Sequence, residues 1–204
     1  MSTVEVFADV ACPFTHVGLR RIVAARRARG ASGVRLRCQA WPLEWVNGEA
    51  LDPGVVGHEV DALREQVAPE LFAAFDPVRF PSTSIPALAL ASVAYGVSIE
   101  RGEMVSLLLR DELFEQGHDL ADPAVLDHVA ERAGIVRPDP HTAEGLVRAE
   151  YDAGRARGVI GSPHFFAGGG AGRFCPSLRI TKVGDALHIE EDVEASARLL
   201  GTVL

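Results

Sequence analysis

Lysine is nearly missing from this chain: Lys182 is the single one among the 20 Lys and Arg residues of 204. The surplus of Arg, Ala and Gly is that of a GC-rich coding sequence and says nothing of mechanism. No apolar run reaches the roughly 18 residues a membrane span needs. The first residues pass directly into a strand-like stretch, without the basic, apolar and cleavage-site regions of a secretory leader. Three cysteines, an odd number, make no disulfide scaffold, so the expected home is a reducing cytoplasm. His16, His58, His118, His128, His141, His164 and His188 include no pair at metal-ligand spacing, and no Cys-x-x-Cys is present, so no metal site is expected. Repeats, low-complexity tracts and flexible linkers are absent as well.

What is there describes an ordinary globular protein, with 48% apolar and 24% charged residues. Its length suits one domain with an insertion, or two small ones. A formal net charge of −8 argues against nucleic-acid and anionic-membrane partners, because phosphates are repelled on average. The arginine cluster Arg20, Arg21, Arg26, Arg27 and Arg29 reads as the solvated face of a helix.

Residues 4–10 read as a central strand, apolar on both faces. Cys12 then caps a helix with Pro13 at its first position, where the missing N–H costs nothing. That helix runs to about Arg29, with Leu19, Ile22 and Val23 inward and Gly30 closing it. Residues 34–40 alternate cleanly, placing Val34, Leu36, Cys38 and Ala40 on the buried face of a second strand. Together these make a right-handed βαβ unit. A long loop is expected from Trp41 to about Gly57. Helices are expected over 58–67, 69–74, 85–95, 99–116, 123–133 and 142–157. Strands return at 164–167 and from Phe174 onward, with a glycine turn at 168–172 and Pro176 on an edge. Gly184-Asp185 marks a further turn. Residues 192–202 form a last helix with Val193, Ala197 and Leu200 on one side.

Cys12-Pro13-Phe14-Thr15 carries the clearest chemical signal. A thiolate at a helix N-terminus faces free N–H groups and the positive dipole end. Such positions lower a cysteine pKa from about 8.5 toward roughly 3.5–7.5. The alternative is a small buried residue, as free cysteine commonly is. Cys38 reads as core. Cys175 reads either as a strand residue packing inward or, lying about opposite Phe165, as a partner for Cys12. A bridge needs Cα atoms within about 7 Å.

Cys12-Pro13-Phe14-Thr15-His16-Val17-Gly18, with Gly158-Val159-Ile160-Gly161-Ser162-Pro163 far downstream, resembles the DsbA-like family. The similarity is to its FrnE-like branch and to its hydroxychromene-carboxylate isomerase and kappa glutathione-transferase branch. Ala40-Trp41-Pro42-Leu43-Glu44 and the run from Glu112 through Gln116 to Pro123 support it, and it spans essentially the whole chain. The resemblance implies an α/β thioredoxin fold with a helical insertion between its βαβ and ββα units. Residues 1–42 and 158–204 then form the thioredoxin-like domain and 43–157 the insertion. It also implies a cis Pro163 beside Cys12, with the Ser162 backbone pairing to an extended thiol substrate.

On that footing Cys12 and Thr15 are the catalytic candidates, and Pro13, Phe14, Ser162 and Pro163 the substrate-binding ones. His16, His164 and Cys175 are further candidates: His16 to polarise the thiol and His164 to reach a ligand, each with a surface or packing role as the alternative, and Cys175 to resolve a mixed disulfide. Thr15 stands where redox relatives carry a second cysteine, and its hydroxyl can donate a hydrogen bond but not resolve a disulfide. The expected activity is thiol–disulfide exchange through one cysteine. No tightly bound cofactor is expected, and glutathione or mycothiol serves as co-substrate. Two other functions stay open: a thiol-dependent isomerase or transferase acting on an aromatic small molecule, and a non-catalytic binding module. The expected partner is a thiol, a disulfide or another small molecule, with a homodimer left open. Trp41 and Trp45 read as cleft-lining or as packing residues, and Gly168-Gly169-Gly170 as a hairpin turn and not a phosphate loop.

Overall fold

The computed structural model describes residues 2–184 and 186–203. Strand β1 (Ser2–Ala8) lies inside a four-stranded sheet of order β2-β1-β3-β4. It is parallel to β2 (Val34–Ala40), with Ser2 opposite Val34 and Ala8 opposite Ala40. Helix α1 (Pro13–Ala28) makes the crossover between them. On the other side β1 pairs antiparallel with β3 (His164–Ala167), which pairs with β4 (Arg173–Phe174). Strand β1 is apolar on both faces because both are covered. Val4, Val6 and Ala8 join Leu19, Ile22 and Val23 of α1, while Phe7 packs with Trp41 and Val159.

Six α-helices lie between β2 and β3 in the chain: α2 (Leu43–Asn47), α3 (Pro53–Gln66), α4 (Ile85–Val97), α5 (Ile99–Phe114), α6 (Pro123–Ala133) and α7 (Pro140–Ala156). Helices α4, α5 and α7 pack on β2. One apolar cluster runs from Val10, Val17 and Ala40 through these helices to Cys175, Leu178 and Ile189. The chain ends with a separate hairpin, β5 (Leu178–Val183) and β6 (Ala186–Glu191), and with α8 (Val193–Gly201) against α1.

The structure departs from the sequence reading at five places. The expected 41–57 loop holds α2 and the start of α3. Asp52 accepts from Gly54 and Val55 N–H at 2.8 and 2.9 Å and Pro53 follows it, so the turn residues there begin a helix. Residues 69–74 are not helical. Phe72 sits at φ +66°, and the Glu115 carboxylate, not a helix carbonyl, serves its N–H and that of Ala73. Strand β4 stops at Phe174, because Cys175 (φ +39°) turns the chain; Pro176 therefore lies outside any strand. Residues 178–183 pair with β6 instead of running on from β4. Helix α8 buries Ala195, Ser196, Leu199 and Leu200, with Ser196 Oγ 3.1 Å from Ser177 Oγ, and leaves Val193 exposed. Of the Gly184-Asp185 turn, Asp185 lies outside the described residues.

Candidate functional site

Cys12 is the N-cap of α1, in extended conformation, with Pro13 beginning the helix. Its side chain is only 2% exposed. The Sγ–H points across the fold and donates to the Ser162 carbonyl at 3.4 Å. The Ser162–Pro163 peptide bond is cis. Gly18, on the next turn of α1, leaves room for the rings of Pro163 and Phe165, about 4 Å from where its Cβ would be.

Burial pushes the Cys12 thiol up from its ordinary value. Hydrogen bonds from the Thr15 side chain, from Ser162 and from the Thr15 N–H pull the other way, and the Glu59 carboxylate adds to the rise. The helix N-terminus is in place, as the sequence predicts, but desolvation outweighs it. The resting sulfur is a protonated thiol, not the ready thiolate expected of an exposed helix start.

Behind Cys12 lies a closed polar network. Thr15 Oγ1 and Ser162 Oγ are 3.0 Å apart, and Ser162 Oγ accepts the Asp9 N–H at 2.9 Å. Asp9, at the end of β1, was not singled out in the sequence. Its Oδ1 accepts from Ala11 N–H at 2.9 Å, and its Oδ2 from Leu43 N–H at 2.7 Å and the Ser84 hydroxyl at 3.1 Å. Its carbonyl accepts from the buried Arg110 guanidinium at 3.2 Å. Burial raises the Asp9 carboxyl while these backbone donors lower it.

In front of Cys12 is a cavity of about 570 Å³. Its floor is Cys12, Pro13, Phe14, Gly161 and Ser162, and α2, α3, Phe174, Cys175 and Ile180 form its walls. Thr15 and Pro163 are buried and do not line it. Asp52 and Glu59 line it, and no Lys, Arg or His does. Burial alone pushes the Glu59 carboxyl up to about 7. Glu59 falls in the stretch first read as the start of a plain helix, and no local pattern marks it.

The remaining candidates fall on different sides of this cavity. Cys175 lines it and is a free thiol, as is Cys12. Its N–H donates to the Pro163 carbonyl at 2.8 Å, two residues further along than the expected register opposite Phe165. Burial, and then the Cys12 thiolate that forms first as pH rises, push its thiol to about 12. His16 points away from the thiol, between Phe72 and Phe114, with Nε2 2.7 Å from Glu115 Oε1. Burial lowers its pKa, so the neutral ring donates its Nε2–H to the carboxylate. For Glu115, burial opposes ionisation, but hydrogen bonds from His16, Phe72 and Ala73 outweigh it and hold the carboxyl at about 2. His164 stacks on Phe166, and its Nδ1 accepts from Ile160 N–H at 3.3 Å, outside the cavity lining. Trp41 is buried against Phe7, and Cys38 lies in the core as expected.

A cavity of about 640 Å³ on α5 and α6 contains none of these residues, and its His118 is already paired with Glu112 at 2.7 Å. Among the described residues no group of three or more His, Cys, Asp or Glu is arranged to hold a metal ion, and no helix is long and apolar enough to cross a membrane.

Comparison with known proteins matches this architecture. A family model described as DSBA-like thioredoxin domain matches residues 3–188. No curated protein matches the sequence. Among solved structures, a Nitrosomonas europaea protein taken for a protein disulfide isomerase superposes with a TM-score of 0.64 at 16% identity, covering 98% of this chain and 96% of that one. The cytosolic disulfide reductase DsbM of Pseudomonas aeruginosa, solved with GSH, gives 0.57 at 16% identity, covering 98% of each chain. A 2-hydroxychromene-2-carboxylate isomerase gives 0.55 at 15% identity over 91% of this chain and 87% of that one. At these identities the likeness is one of fold.

Proposed function

The chain belongs to the DSBA-like thioredoxin domain family, and on that footing we propose that it is a cytoplasmic thiol–disulfide oxidoreductase acting through one thiol, Cys12. The observation that carries the reading is the Cys12 sulfur on the cavity floor, with the hydroxyl of Thr15 and no second thiol one helical turn on. A disulfide R–S–S–R′ enters the cavity along Gly161 and Ser162. Cys12 gives up its proton and attacks one sulfur, the S–S bond breaks, and R′–S⁻ leaves and takes up a proton. The product is Cys12–S–S–R. Thr15 cannot displace it, so a low-molecular-weight thiol R″–SH such as glutathione or mycothiol attacks the R sulfur, the Cys12–S bond to it breaks, R–S–S–R″ leaves, and Cys12 recovers its proton as the thiol. The GSH bound by DsbM supports a thiol of this kind. Ser162 and Pro163 hold the sulfur and the substrate, Pro13 and Phe14 border it, and Thr15 tempers the cost of the thiolate.

The test is intact mass after incubation with bis(2-hydroxyethyl) disulfide, followed by turnover with excess thiol. A single adduct on the wild type, absent from Cys12→Ser, is the expected result. Exchange activity that survives Cys12→Ser overturns the proposal.

Thr15 also favours a second reading, a thiol-dependent isomerase in which the hydroxyl orients a small molecule and Cys12 is not consumed. Redox stoichiometry separates the two, since an isomerase uses up no thiol.

A further inference from the structure

We infer that the Cys12 cavity selects low-molecular-weight disulfides with an apolar body and no net negative charge, with Glu59 and Asp52 as the groups that turn anionic ones away. This inference rests on the single-thiol reading above, narrows its substrate class and, of the two co-substrate thiols named there, favours the uncharged mycothiol over the anionic glutathione.

Three observations point the same way. Val46, Val55, Ile160, Phe174 and Ile180 line the cavity while being 36–73% exposed, an unusual share of exposed apolar side chains for one opening. The charged lining consists of Asp52 and Glu59 alone, with no cation among the described residues to receive a ligand carboxylate. Among the described residues none holds Glu59 by a hydrogen bond or an opposite charge. Cys12 is 2% exposed at the base of a cavity of about 570 Å³, the size of a small-molecule site. A small disulfide that enters the cavity suits this placement better than one fixed on a folded surface.

Glutathione disulfide brings four carboxylates against two ammonium groups and therefore arrives as an anion. In a partly desolvated site, like charges placed side by side are disfavoured far more than in water. A polyol thiol or an aminothiol meets no such opposition, and a cationic one is drawn in. The molecule's formal charge of −8 adds to the bias at long range.

The experiment compares Cys12 adduct formation at pH 8, above the Glu59 value of about 7 so that its carboxylate is ionised, by three probes: cystamine (cationic), bis(2-hydroxyethyl) disulfide (neutral) and glutathione disulfide (anionic). Each rate is divided by that probe's rate with free 2-mercaptoethanol, an uncharged thiol, which removes intrinsic reactivity without adding a charge bias of its own. The normalised rates are expected to fall in that order, with cystamine ahead of glutathione disulfide by about tenfold or more at low salt. The gap should shrink toward unity near 1 M salt, where screening is strong. Glu59→Gln, and Asp52→Asn, which keeps the helix cap, should each narrow it severalfold. Equal normalised rates, or a gap indifferent to salt and to both substitutions, overturn this inference alone. Absence of any Cys12 adduct with all three probes overturns the single-thiol reading and this inference with it.

Discussion

Cys12, on which the proposed exchange turns, is a thiol that burial pushes toward its protonated form. Cys12 is expected to alkylate with a midpoint above the ordinary value of about 8.5, because desolvation outweighs the donors aimed at its sulfur. Thr15→Val removes one donor and leaves Ser162 Oγ without its partner at 3.0 Å. It should move the midpoint higher, slow iodoacetamide labelling at pH 8, and lower stability by about 1 kcal/mol. A Thr15→Val protein that titrates with the wild type would remove Thr15 from the site. Cys12 and Thr15 were legible as the start of a helix, a local pattern, and Ser162 and the cis Pro163 through the family resemblance alone. Asp9 and Glu59 were not. Asp9 matters through what residues 34 to 153 positions away bring to it, Glu59 through the cavity it lines, and nothing nearby marks either carboxylate for burial. His16 takes the packing role of the two open to it, because sharing a helical turn with Cys12 does not mean sharing a face with it.

At the scale of elements, the pieces with strong periodicity came through: α1, the alternating β2, β3 and α6 stand where the pattern puts them. The failures were short elements framed by Pro and Gly, where helix starts and loops use the same residues, as in 41–57. One close approach between elements escaped the pattern altogether. A Cβ on Gly102 of α5 would lie 2.0 Å from the ring of Tyr95 on α4. The Tyr95 hydroxyl accepts from Cys38 N–H at 2.9 Å and donates to the Leu36 carbonyl at 3.0 Å, tying α4 to β2. Gly102→Ala should therefore destabilise by about 1–3 kcal/mol despite its better helix propensity. Gly145→Ala in α7, which meets nothing within 4 Å, should instead stabilise by about 0.5–1 kcal/mol. Chemical denaturation of the pair checks both signs, and a stabilised Gly102→Ala would show that Tyr95 yields freely.

For the molecule as a whole, acid is the expected weakness. Glu115 sits at about 2 in the fold against 4.5 for the free group. Its stabilisation is complete above pH 4.5 and drains away as pH falls toward 2. His16, held neutral by burial, adds a loss that begins below its ordinary 6.5, because the unfolded chain takes up the proton first. Glu115→Gln should lower Tm at pH 7 and flatten the decline between pH 4.5 and 2. An acid limb parallel to the wild type would deny the carboxylate this role.

Asp9 has a consequence for the order in which the molecule comes into being. Its hydrogen-bond partners include Ala11, Leu43, Ser84, Arg110 and Ser162, which leave the ribosome one after another. When Cys12 emerges, none of the last four exists. The serine whose hydroxyl takes the Asp9 N–H, and whose carbonyl takes the thiol, is translated 150 residues after the cysteine. A nascent or truncated chain thus carries an ordinary, solvated thiol. Only the finished one owns a pocket around it.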